Sequence, residues 1–215
     1  MSTFVDAFRF MGDNTHLLLV KTLEHVELSG AALGIAIAVA LPLGLALGHL
    51  HRGSFVAISI SNVGRALPST VLIALGLSIF GIGFWNNAAA LVVLAIPPIL
   101  TNAYFAVDGV DRDVVEAARG MGMSGGQILR RVELPLALPL VVAGVRIAAI
   151  FVIATAIIAA IAGGGGLGEI IFNQASYRLA GVVAASLWVA ALAFAASALL
   201  GAIRWAASRR WVPAD

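Results

Sequence analysis

Four stretches of this chain contain no Lys, Arg, Asp or Glu at all: residues 28–51, 66–107, 147–168 and 179–203. An apolar run of about 18 or more residues is long enough to cross the hydrocarbon core of a bilayer as a helix. A water-soluble domain cannot carry several such runs, because each would leave a large apolar face in contact with water. With 61% hydrophobic and 11% charged residues among 215, the chain is expected to have the bilayer as its main solvent. In lipid the backbone must satisfy its own hydrogen bonds, so the fold expected is an all-α, polytopic membrane protein.

The pattern reads as five transmembrane helices: about Leu28–Gly48, Phe55–Ile79, Asn87–Val107, Leu138–Ala162 and Leu179–Ile203. The first three contain prolines, at Pro42, at Pro68 and at Pro97-Pro98. A proline within a span frees a carbonyl and kinks the helix, which membrane helices tolerate when neighbours re-satisfy it. The 23 glycines suit helices that pack closely in a membrane. Three regions follow: an extracytoplasmic segment over residues 1–27, a membrane domain over 28–203 with a polar loop at 108–135, and a cytoplasmic tail at 204–215. The stretch Thr15–Leu28 is amphipathic and suits an interfacial helix at the outer surface. The first 27 residues carry charges throughout and do not resemble a cleaved leader.

Orientation follows from basic residues. If the polar loop is cytoplasmic, that side holds Arg52, Arg112, Arg119, Arg130, Arg131, Arg204, Arg209 and Arg210, against Arg9, Lys21 and Arg178 outside. The excess places the N-terminus outside and the C-terminus in the cytoplasm. An isoelectric point near 9.7 suggests nucleic acid, but the basic residues are scattered at membrane edges and form no basic stripe, so no nucleic-acid partner is expected.

Several chemical motifs fail on context. Gly163, Gly165 and Gly168 match a dinucleotide fingerprint but follow an apolar span, where a strand would be needed. Gly122, Ser124 and Gly126 match a nucleophile elbow, yet all four histidines (His16, His25, His49 and His51) lie upstream and no α/β sheet is available. Lys21 is the one lysine and follows Val20, so there is no phosphate-binding Gly-Lys-Ser/Thr loop. His16, His25 and Glu24 make no convincing metal set, there is no cysteine, and no metal site or covalent chemistry is expected. Arg65 and Arg146 fall within spans, where charge is costly and is a functional candidate. Arg65 suits either the translocation path or carbonyls freed at the Pro68 kink. Arg146, nearer the inner end, suits snorkelling or a gate contact. Trp85, Tyr104, Tyr177 and Trp188 offer aromatic faces for a quaternary ammonium, but interfacial anchoring accounts for such residues equally well.

The longest polar loop reads as two short helices. Asp111 can cap the first, about Arg112–Arg119, which ends at Gly120 and Gly122. Ser124 and Gln127 form a capping box for the second, which is expected to stop before Pro135. A helix–glycine–helix elbow is a rigid part, suited to docking in a partner's cleft.

Within that elbow, Glu116-Ala117-Ala118, then Gly122, then Val132, Leu134 and Pro135 resemble the EAA loop of binding-protein-dependent ABC importer permeases. That pattern is Glu-Ala-Ala, three residues, Gly, nine residues, Ile, one residue, Leu-Pro; only Val132 departs, standing for Ile. Further segments resemble the osmoprotectant branch: Leu23–Leu28, Pro42-Leu43-Gly44, Arg65–Ser69, Phe80–Gly83, Pro97-Pro98 and Gly164–Gly168. Related permeases often carry Gln-Thr-Ile-Pro-Ser where this chain has Arg65-Ala66-Leu67-Pro68-Ser69. The resemblance implies a type I importer permease of MetI-like fold in a prokaryotic inner membrane, working on glycine betaine, choline, carnitine or proline. It implies that the elbow is a coupling helix docking on cytoplasmic ATP-binding subunits, and that Arg65, Pro68 and Ser69 border the translocation path. The implied partners are those ATPases, which bind the ATP and Mg, a second permease that is identical or related, an extracytoplasmic substrate-binding protein, and the bilayer. An importer permease for another small solute, such as an amino acid, shares the elbow. An ion-coupled carrier or channel fits less well, because no Asp or Glu lies inside a span.

Overall fold

A computed structural model describes residues 2–211, with the side chains at 2, 54, 58, 61–63, 65 and 207–211 excepted. Among the described residues ten α-helices follow one another: α1 Ser2–Asp13, α2 Thr15–His49, α3 Ser54–Ala66, α4 Ser69–Phe80, α5 Phe84–Asp108, α6 Arg112–Gly120, α7 Gly125–Ile128, α8 Leu134–Thr155, α9 Gly168–Phe172 and α10 Gln174–Trp211. A π-helical turn, Leu129–Glu133, joins α7 to α8, and a 3₁₀ turn, Ile158–Ala162, follows α8. Among the described residues there is no strand.

Four of the described segments are long and apolar enough to cross a membrane: Thr15–His49, Phe84–Asp108, Gly125–Thr155 and Gln174–Ala206. The second expected span is present as two shorter helices, α3 and α4. Pro68 explains the break: it sits in extended backbone (φ −63°, ψ 129°) immediately before α4. Its ring also disfavours helical backbone at Leu67. The stretch Thr15–Leu28 forms no separate helix, because α2 runs unbroken through it to His49. α10 changes direction at Arg178, whose φ of 55° lies outside helical values.

The chain forms two compact units. One comprises residues 1–35, 67–95 and 149–196. Its largest buried cluster joins Leu18, Ile153, Leu167, Ile170, Ala185 and Val189. Polar bonds reinforce it. Lys21 pairs with Glu24 at 2.9 Å and with Glu169, and Glu24 accepts from the Gly166 N–H at 2.8 Å. The Trp188 indole donates to Thr22 at 2.8 Å, and the fully buried His25 ring bonds the Ile153 carbonyl at 2.9 Å. The glycine-rich turn is thereby fixed to the first half of α2.

The other unit comprises residues 36–66, 96–148 and 197–215, and the second half of α5 is its centre. α2 lies against α5 through Gly44 and Gly48, where a Cβ would come within 2.6 Å of the Leu100 carbonyl and 2.7 Å of the Tyr104 carbonyl respectively. Only glycine permits helices to approach that closely. Beside this seam Ala103, Ala106 and Val107 of α5 pack with Ala137 and Val141 of α8. Arg146 of α8 is half-buried and its Nε donates to Ser197 Oγ at 2.7 Å, so this intramembrane arginine has a partner within its own unit.

Candidate coupling site

The elbow lies entirely within the second unit. Its first helix begins where the Asp111 carboxylate accepts from the Asp113 N–H at 2.9 Å, satisfying one of the orphan donors of a helix start. α6 is short and strongly two-faced. Val115 and Ala118, three residues apart on one face, are buried with Val110 and Ile128, with Met123 and Val132 packed alongside. Glu116 and Ala117 point outward and are exposed. The chain then turns at Gly122, whose φ of 80° is left-handed backbone that favours glycine. Bonds from Met121 N–H to Ala117 O at 3.0 Å and Gly122 N–H to Arg119 O at 2.9 Å close the turn. At its far side the Gln127 side chain accepts from the Ser124 N–H at 2.8 Å, the reach-back half of a capping box.

The second helix does not stop before Pro135. It continues through the π-turn directly into α8, and the Leu134 N–H bonds back five residues to the Leu129 carbonyl. The wider turn is the physical reason. Proline has no N–H to offer and needs room for its ring, and an inserted π-turn changes the register of the backbone bonds just ahead of it. Leu134 and Pro135, both half-buried, thus begin the membrane helix rather than end the elbow.

The expected elbow residues therefore divide into two sets. Ala118 and Val132 belong to the small apolar core that holds the two arms together. Glu116, Ala117 and Gly122 form the exposed outer face, with Met121 at 75% exposure beside them. A cavity of about 230 Å3, lined by His51, Arg112, Val115, Glu116 and Arg119, adjoins that face at Glu116. Of the residues expected along the path, Pro68 immediately precedes α4, Ser69 is the half-buried first residue of α4, and the Arg65 side chain lies outside the described residues.

Sequence reasoning did not single out Glu133, which is 1% exposed and accepts from His49 Nδ1–H at 2.6 Å. Nearby, His51 Nδ1–H donates to Asp108 at 2.9 Å. These pairs are 84 and 57 residues apart in the chain, and no local pattern announces them.

The model of the family described as "Binding-protein-dependent transport system inner membrane component" matches residues 31–209. The chain belongs to this family of ABC importer permeases. Permeases of this family are multi-pass membrane subunits. This one is 37% identical over 81% of its length, and 82% of the other's, to the glycine betaine/carnitine/choline transport system permease protein OpuCB of Bacillus subtilis (strain 168). It is 35% identical over 91% of its length, and 90% of the other's, to the carnitine transport permease protein OpuCB of Listeria monocytogenes. Among solved structures, the MetNI methionine ABC transporter in inward facing conformations has a chain matching 91% of this one, and 98% of itself, with a TM-score of 0.79 at 25% identity. The permease fold expected from the elbow motif is therefore the fold the structure has.

Proposed function

We propose that this permease forms one membrane half of an importer for an osmoprotectant carrying a quaternary ammonium group, of the glycine betaine, carnitine and choline class. The observation that carries the substrate class is the set of relatives: permeases named for these solutes match at 35–37% identity over most of both chains. The methionine transporter that shares the fold does so at 25%, which favours the osmoprotectant reading over an amino-acid one.

The elbow supports a mechanism. Its outer face, with Glu116, Ala117, Met121 and Gly122 exposed and the cavity beside them, is the docking surface for a cytoplasmic ATP-binding subunit. Its apolar core, with Ala118 and Val132, makes both arms move as one piece. Because the second arm runs through the π-turn and past Leu134-Pro135 into α8, a push on the elbow reaches a membrane helix without passing through a loop. ATP and its Mg are held by the partner. The elbow is cytoplasmic, the N-terminus outside and the C-terminus inside, as the distribution of arginines supports. A second permease, identical or related, completes the path, and large apolar side chains exposed along α10, such as Phe194 and Leu199, suit contact with it or with lipid. A binding protein outside delivers the solute. Arg65, Pro68 and Ser69, at the break between α3 and α4, border the path.

Reconstituted with its ATPase and binding protein, the permease is expected to take up labelled glycine betaine in an ATP-dependent way, with choline and carnitine competing. Uptake driven by an ion gradient without ATP would exclude the importer mechanism. Competition by amino acids and not by quaternary ammonium solutes would exclude the substrate class.

A further inference from the structure

The elbow's apolar core is small, so what fixes the elbow to the membrane helices matters for any transmitted movement. The elbow lies between Asp108, the last residue of α5, and Glu133, the last residue of the π-turn. Both carboxylates are bonded to histidines at the end of α2: His49 is its last residue, and His51 lies on the turn that follows. His49 Nδ1–H donates to Glu133 at 2.6 Å and His51 Nδ1–H donates to Asp108 at 2.9 Å.

The two bonds differ in kind. Glu133 is 1% exposed, and a carboxylate out of water is tolerated only where it has a partner. The pair at His51 is more exposed on both sides, where such bonds contribute little. The other side of the His49 ring lies against α7: a Cβ on Gly125 would stand 3.3 Å from Nε2. His49 is thus seated between the start of the elbow's second helix and its last residue. The turn that follows it is strained at His51, whose φ of 49° is left-handed backbone, while Gly53 takes its φ of 88° as glycine readily does. A non-glycine residue there costs about 1–2 kcal/mol and persists when surrounding contacts hold it. α2 itself is bound to α5 through the close contacts at Gly44 and Gly48.

We propose that the C-terminal end of α2 is a clasp on the elbow, with His49 and Glu133 as positioning residues that make α2 move with the elbow when its partner displaces it. The elbow would then act on two membrane helices: on α8 through the continuous backbone, and on α2 through this buried bond. The inference rests on the importer reading, and it assigns the import step to a pair of residues outside the elbow's outer face.

The test measures solute imported per ATP hydrolysed by the full complex of permease, ATPase and binding protein in vesicles. Glu133→Ala and His49→Ala are each expected to lower that ratio about tenfold, the scale of one lost bond to a buried charge. The double variant should be no worse than either single one, because both remove the same bond. Glu133→Gln keeps an acceptor and His49→Asn keeps a donor near the Nδ1 position, and both should stay near the wild-type ratio. A wild-type ratio in either alanine variant overturns the clasp. Equal losses in Glu133→Gln and Glu133→Ala overturn it too, as does failure of both alanine variants to assemble with the ATPase, which would make the pair a folding element only. If wild-type vesicles import nothing with ATP, the importer reading falls and takes the clasp with it; that outcome is visible before any variant is compared.

Discussion

Gly122 combines left-handed backbone with open space around it. Its backbone, at φ 80°, disfavours any side chain, yet a Cβ built there meets nothing within 4 Å. Substitution therefore strains the turn by about 1–2 kcal/mol without a clash, and aspartate is among the residues that accept left-handed backbone best. Gly122→Asp is expected to leave the permease inserted and folded while abolishing uptake, because a new charge would stand on the proposed docking face. ATP-dependent uptake at the wild-type level in inserted Gly122→Asp would contradict the role given to that face. Glu24 sits in the other unit and works differently, accepting from the Gly166 N–H and pairing with Lys21. Glu24→Ala should lower the thermal midpoint in detergent by roughly 2–8 °C, the equivalent of about 1–2 kcal/mol; an unchanged midpoint would show that the glycine-rich turn is held by other means. The amphipathic pattern of Thr15–Leu28 suits an interfacial helix. Its Glu24 also bonds a turn about 140 residues away, and pairing of that range leaves no trace in local periodicity.

Among the elements, those with local causes were legible and those with distant causes were not. Asp111 and Gln127 cap the helices expected of them, because a cap is settled within three or four residues. Pro68 breaks the second span where its ring requires. Pro135 misled: a proline read alone predicts a stop, while the π-turn ahead of it lets the helix run on. Whether a proline ends or merely reshapes a helix depends on the burial gained by continuing, and here continuation places Ala137 and Val141 against α5. The glycines divide in the same way. Gly44→Val would force α2 away from α5, since a Cβ there would meet the Leu100 carbonyl at 2.6 Å; we expect loss of folded protein or a midpoint many degrees lower. Gly126→Ala, with nothing within 4 Å, should be neutral or stabilising by up to about 1 kcal/mol. Thermal unfolding of the two variants side by side checks both, and equal behaviour would contradict the close seam between α2 and α5.

For the whole molecule, the membrane character and the all-helical fold were plain from four uncharged stretches and needed no motif. The family was legible from seven positions at fixed spacing across the elbow, and the match over residues 31–209 agrees with it. What the sequence could not display is how the elbow is tied in, since Glu133 lies between two motif positions and its partner is in another helix. On the proposed function, this elbow is where a separate ATPase takes hold of the permease. The protein has no cysteine, so Met121→Cys, at a site 75% exposed, carries one thiol on the proposed docking face. Cross-linking that thiol with a short bifunctional reagent in the assembled complex is the most direct measurement. A covalent adduct between the permease and its ATPase subunit is expected. A thiol at this position that is efficiently labelled, yet forms no ATPase adduct in a complex still importing solute, would contradict it.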